Sequence, residues 1–149
     1  MSANFEDIVK RAYSMAADKR HEFTTLEHLL YCLIEAEEIK DVIAAVGGNI
    51  TKLHTNLKSY IDDPGNHTII KTGPYQPRHT SMLLHIVKKA KTQSLFSGRS
   101  DLGCMDLFLA MFDIENSHAS YFLNEAGVTR DSVISYLSNK ANPQEKLSD

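Results

Sequence analysis

Apolar residues return every three to four positions along most of this chain, and glycine, proline or charged clusters interrupt the runs. That period is helical, and it predicts eight helices. Phe5, Ile8, Val9, Ala12, Met15 and Ala16 form the stripe of a first helix over 2–19, with Asp18-Lys19-Arg20 as its polar exit. The densest run is Leu26, Leu29, Leu30, Leu33 and Ile34, which places a second helix over 25–37 at the centre of a bundle. Thr24 or Thr25 is its expected cap, and Glu27 stands three residues after Thr24, the spacing of a capping box. Glu35, Glu37 and Glu38 are expected to end this helix on the wet side. A short third helix spans 39–46 and stops at Gly47-Gly48. A fourth spans 50–61, broken by Asp62-Asp63-Pro64-Gly65. Residues 62–79 form a loop, in which Ile69 and Ile70 suit an extended segment with no obvious partner strand. Thr80 or Ser81 caps a fifth helix over 81–96, ended by Ser97-Gly98. Three more follow over 103–114, 117–126 and 129–139, with Gly127 between the last two.

The second half repeats the first. Ile8-Val9-Lys10-Arg11-Ala12 matches Ile86-Val87-Lys88-Lys89-Ala90 at an offset of 78 residues, and the same offset sets Leu29 on Leu107 and Leu33 on Met111. The register drifts slightly at Val46-Gly47 against Ala126-Gly127 and at Ser59-Tyr60-Ile61 against Ser135-Tyr136-Leu137. Such duplication predicts an all-α fold of two tandem four-helix repeats related by a pseudo-twofold axis. The expected organisation is one domain over 1–140, with repeat 1 at about 2–62, an inter-repeat loop at 62–79 and repeat 2 at about 80–139. Asn142-Pro143 then opens a polar tail with the composition of a linker, 141–149.

Composition narrows the function. The chain has 149 residues, 42% apolar, so it can build a real core. A net charge of −3 argues against a general nucleic-acid binder, which needs a basic surface, and Lys88, Lys89 and Lys91 are expected to be the wet face of a helix. Cys32 and Cys104 both fall in helical apolar patterns and read as small buried hydrophobes of a reducing compartment. No signal peptide and no run long enough to cross a membrane is visible, so a cytoplasmic location is expected.

Catalytic motifs are missing. There is no Gly-x-x-x-x-Gly-Lys-Ser/Thr phosphate loop, no Gly-x-Ser-x-Gly and no dinucleotide fingerprint. His21-Glu22 does not complete a His-Glu-x-x-His motif, because Thr25 holds the last position; the inverted motif fails at Thr24. His21 and His28 are expected to be satisfied locally rather than to hold a metal, since no three ligands converge in sequence, and no cofactor is expected. Glu22 and Glu27 flank the start of the second helix. They suit the positive end of its dipole, and they are also placed to meet a partner.

The run His21-Glu22-Phe23 followed by Thr25-Leu26-Glu27-His28-Leu29-Leu30, together with the tandem repeat, resembles the N-terminal domain of the Clp unfoldases, ClpA in particular. The resemblance covers roughly residues 2–139. It implies a non-catalytic docking domain attached to AAA+ ATPase modules, which binds a ClpS-type N-degron adaptor and some substrate proteins in ATP-dependent protein degradation. Carried over by position, it implies an adaptor face of Glu22, Glu27 and Thr80. The basic run Tyr75-Gln76-Pro77-Arg78-His79 before the fifth helix departs from the family pattern and bears on the register of Thr80. ClpC-type relatives bind phosphoarginine through a Glu in each repeat. Here the mate of Glu27 is Met105, so half of that charge pattern is missing. A stand-alone helical regulator or peptide-binding protein is the other alternative.

Overall fold

The structure is a computed structural model that describes residues 5–96 and 103–141. Three expectations lie outside those residues: the first turn of helix 1 at 2–4, the Ser97-Gly98 stop and the tail after 141. The described residues form eight helices: α1 (Phe5–Asp18), α2 (Leu26–Leu33), α3 (Glu37–Ala45), α4 (Ile50–Asp62), α5 (Ser81–Phe96), α6 (Cys104–Met111), α7 (His118–Glu125) and α8 (Arg130–Ala141). A 3-10 turn at Pro64–Asn66 and two two-residue strands, β1 (Phe23–Thr24) and β2 (Arg78–His79), complete the order.

Helix boundaries follow local chemistry. Thr25 caps α2, and the box is closed by His28 rather than Glu27: the Thr25 N–H donates to His28 Nδ1 at 3.0 Å, and the His28 N–H reaches Thr25 Oγ1 at 3.4 Å. The expected helix over 25–37 ends at Leu33, with Ile34 as its C-cap. Ala36 takes extended backbone and starts α3, so Glu37 and Glu38 occupy a first turn, where acids complement the helix dipole. They open the third helix instead of closing the second. Thr80 caps α5, its Oγ1 accepting the Leu83 N–H at 3.2 Å.

Both repeats bury the same pattern. Ile8, Ala12 and Ala16 run along one line of α1; Ile86 and Ala90 repeat it on α5. These alanines let α1 lie close on α2 and α5 on α6. Leu29, Leu30 and Leu33 of α2 meet Leu107, Phe108 and Met111 of α6 in one continuous core. Burial of this apolar surface is the main force holding the two repeats together. Cys32 and Cys104 are both free and buried.

The repeats also touch at their glycine turns. Gly47 and Gly127 end α3 and α7 with φ of 78° and 79°, which a side chain would strain. The next residues differ: a Cβ on Gly48 would lie 2.6 Å from Val128 Cγ2, so glycine in one repeat makes room for valine in the other. The Asn49 N–H donates to the Ala126 carbonyl at 2.8 Å across the same contact.

The inter-repeat loop is pinned down by the segment between α1 and α2. Arg20, with φ of 56°, takes the left-handed position that usually goes to glycine after a helix. The Arg20 and His21 N–H groups close on the Ala17 and Ala16 carbonyls at 3.0 and 2.9 Å. The Arg20 side chain then holds the loop. Its guanidinium donates to the carbonyls of Ile70 and Gly73 and lies 4.9 Å from the centre of the Tyr75 ring. The partner of Ile69 and Ile70 is this segment itself, with Glu22 N–H to Thr68 O and Ile70 N–H to Arg20 O, each at 2.8 Å.

Candidate functional site

Two residues of the expected adaptor face are brought together. β1 and β2 pair in parallel, with Phe23 beside Arg78 and Thr24 beside His79. The Arg78 N–H donates to the Glu22 carbonyl at 2.9 Å, and the Thr80 N–H to the Thr24 carbonyl at 3.1 Å. Glu22 and Thr80 therefore share one edge although a whole repeat separates them in sequence. This pairing also fixes the register of Thr80, which the unusual 75–79 run had put in question.

Apolar side chains flank that edge in the open. Phe23, Met82 and Leu84 are 38%, 44% and 54% exposed. Leu84 and Val87 of α5 face Phe5 and Val9 of α1 across a groove of about 280 Å³, with Glu6, Lys10, His79 and Lys91 at its rim. Lys91 Nζ lies 5.3 Å from the centre of the Phe5 ring, an attraction between cation and ring face. The surface thus offers apolar area, an acid and a hydroxyl in one place, a combination that suits contact with a peptide or a protein surface.

Glu27 lies elsewhere. It is buried, and its Oε2 accepts the Ala119 N–H at 2.8 Å, in the first turn of α7. An acid there satisfies an orphan donor and complements the dipole of α7. Glu27, the third residue of the adaptor face that the resemblance implies, thus stands apart from the Glu22–Thr80 edge, and its carboxylate joins the two repeats from inside. It also raises the pKa of Tyr60, whose own burial is the larger cause.

Next to the edge sits a histidine cluster that the sequence did not announce. His21 Nδ1 and His28 Nε2 are 3.0 Å apart. The His67 ring, from the inter-repeat loop, stacks on His21 with centroids 3.8 Å apart and planes 8° from parallel. One ring nitrogen from each of the three lies within 4.8 Å of the others. Burial is the first cause that lowers His21 to about 4 and His28 to about 3; His67 lowers both further, and His21 adds to the effect on His28. Both are therefore neutral at physiological pH. His67 was missed because it lies far along the chain in a Pro/Gly/Asn-rich loop, where no period marks what it faces.

A duplicated helical module with an open apolar edge has the form of an interaction domain. The chain belongs to the Clp repeat (R) N-terminal domain family, whose model matches residues 1–146. It is 27% identical over 138 residues to a ClpA homolog protein of Fuscovulum blasticum, covering 93% of this chain and 17% of that protein. The chain thus spans about a sixth of the relative it matches. Among solved structures it resembles the Hsp104 N-terminal domain from Candida albicans, with a TM-score of 0.76 at 15% identity over 89% of this chain and 85% of that one. It also resembles the ClpV N-domain in complex with a VipB peptide, with a TM-score of 0.66 at 19% identity over 89% and 81%. These likenesses establish the fold. Among the described residues no helix is long and apolar enough to cross a membrane.

Proposed function

We propose that this domain is the docking module of a ClpA-like unfoldase, taking up a ClpS-type N-degron adaptor and some substrate proteins for ATP-dependent degradation in the cytoplasm. The observation that carries the proposal is the β1–β2 pairing, which sets Glu22 and Thr80 on one edge beside Phe23, Met82 and Leu84. Exposed apolar side chains supply the area an interface must bury, and the Glu22 carboxylate selects a Lys or Arg on the partner. The Thr80 hydroxyl oxygen caps α5, while its proton remains a donor for a partner carbonyl. That a ClpV domain of this fold has been captured with a peptide supports peptide uptake here. Glu27 has no contact role in this proposal, because its carboxylate is buried against Ala119.

The test is a titration of a ClpS-type adaptor against the parent chain and Glu22→Lys, at low and at moderate salt. The variant is expected to stay folded and to bind about ten- to thirtyfold more weakly, the effect of about 1.4–2 kcal/mol of like-charge repulsion, with a gap that narrows as salt rises. Parent-like affinity for a folded Glu22→Lys variant would remove this acid from the interface.

A further inference from the structure

The docking edge carries a charge that the proposed function leaves unused. Arg78 stands in β2, directly across from Phe23 of β1. It belongs to the run Tyr75-Gln76-Pro77-Arg78-His79, where the chain departs from the family pattern. Arg78 is exposed, and among the described residues it forms no ion pair. Arg11 and Arg20, by contrast, are engaged by Glu35 and by the inter-repeat loop. We propose, on the basis of docking at this edge, that Arg78 is its second charged contact: it pairs with an Asp or Glu of the adaptor, so that the edge selects a partner carrying charges of both signs.

Strand geometry decides where that charge goes. Residues paired across two strands share a face, and the next residue along each strand points to the other face. Phe23 and Arg78 therefore share the outer face of the ribbon, and both are exposed there. Thr24 and His79 take the inner face. Thr24 is fully buried, and the His79 ring meets Tyr13 of α1 edge to face, with centroids 6.0 Å apart. Glu22 sits at the bend before β1, and no ion pair joins it to Arg78. Two opposite charges thus stand on one edge, and each is open to a partner.

The backbone under Arg78 is held in place. Its N–H donates to the Glu22 carbonyl at 2.9 Å, and two residues on the Thr80 N–H donates to the Thr24 carbonyl at 3.1 Å. Pro77 before it is buried, and its ring restricts the chain there. With the backbone fixed, a contact has only the side-chain rotamers of Arg78 to order, which lowers the cost of binding. A guanidinium matches a carboxylate through two parallel N–H···O bonds, which a lysine in its place would not do. The Phe23 ring beside it shields one flank of the pair from water once a partner covers the edge, and such a pair is less screened by salt than a free surface one. Glu22 asks for a Lys or Arg and Arg78 for an acid. A partner with those charges in the reverse order meets like charges at both positions, so the edge rejects it.

The test is binding of a ClpS-type adaptor to the parent chain, Glu22→Lys, Arg78→Glu, Arg78→Ala and Lys40→Glu, at low and at moderate salt, with folding checked by circular dichroism. Lys40 is exposed on α3 beside Ile50 and His54 of α4, so Lys40→Glu changes the net charge as Arg78→Glu does and controls for the field of the whole chain. Arg78→Glu is expected to bind about tenfold or more weakly and Arg78→Ala about threefold, with gaps that narrow as salt rises, while Lys40→Glu stays within about twofold of the parent. A set of adaptor variants, each with one exposed Asp or Glu changed to Lys, is expected to contain one that binds Arg78→Glu more tightly than it binds the parent chain. A merely structural role for Arg78 would not produce that exchange. Parent-like affinity of Arg78→Glu beside a weakened Glu22→Lys, a loss no larger than that of Lys40→Glu, or an adaptor set without the exchange would overturn the pairing and leave the docking edge standing. No adaptor binding by the parent would overturn both.

Discussion

The first turns of α2 and α6 occupy equivalent places in the two repeats, and they do different work. At the offset of 78, Thr25 stands on Gly103, Glu27 on Met105, His28 on Asp106 and Leu30 on Phe108. The backbone is the same in both. His28 reaches back to the Thr25 N–H at 3.0 Å, and Asp106 reaches back to the Gly103 N–H at 2.9 Å. The buried positions also match, since Leu30 and Phe108 are fully covered. What differs is the chemistry around the cap. The turn of α2 carries a histidine cluster and an acid that crosses to α7. In the turn of α6, Cys104 Sγ–H donates to Glu38 of α3, and burial followed by that acid pushes the thiol up to about 12, so it stays protonated. Duplication preserved the packing and the capping geometry, while polar function was left free to diverge at each copy.

If packing is the shared part, both copies must be costly to empty. Leu30→Ala is expected to lose about 2–5 kcal/mol and Phe108→Ala about 3–5 kcal/mol in chemical denaturation. A large loss in one and under 1 kcal/mol in the other would break the equivalence of the two core positions.

The acid that crosses between repeats ranks next. Glu27→Ala leaves the buried Ala119 N–H without its acceptor and is expected to cost about 1–3 kcal/mol. Adaptor affinity of the folded variant is expected to match the parent, measured alongside thermal stability. Lost affinity with unchanged stability would return Glu27 to the docking face.

Acid should expose the histidine chemistry of repeat 1 in the metal-free protein. His21 and His28 have folded pKa values near 4 and 3, below the unfolded value of 6.5. The unfolded chain therefore binds more protons as pH falls below about 6.5, so stability present above that pH declines toward pH 4. Denaturation midpoints between pH 7 and 4.5 should show this slope, and His28→Gln should flatten it. An unchanged slope in a folded His28→Gln variant would assign the loss to other groups.

Much of this architecture was legible in the sequence, and the reasons are physical. Helix positions followed from apolar periods, and the two-repeat plan from the match of Ile8–Ala12 to Ile86–Ala90. The break between α2 and α3 was misplaced because Glu35 to Glu38 suit either a helix end or a helix start, and only the extended backbone of Ala36 decides between them. Strands of two residues are too short to carry a period, so the β1–β2 edge and the mate of Ile69 and Ile70 were invisible. Glu27 with Ala119, and His67 with His21, are contacts between residues 92 and 46 positions apart, which no local pattern encodes. The resemblance supplied Glu22, Glu27 and Thr80 as a set. The structure brings the first and last together and turns the middle one inward.

The claim that docking belongs to the β1–β2 edge is tested most directly by backbone amide shifts in nuclear magnetic resonance as a ClpS-type adaptor is added to the labelled chain. The account predicts the largest changes at Glu22, Phe23, Arg78, Thr80 and Leu84, with Ser117, Tyr121 and Thr129 of the second repeat unmoved. Shifts concentrated on α7 and α8, with Glu22 and Thr80 silent, would contradict it.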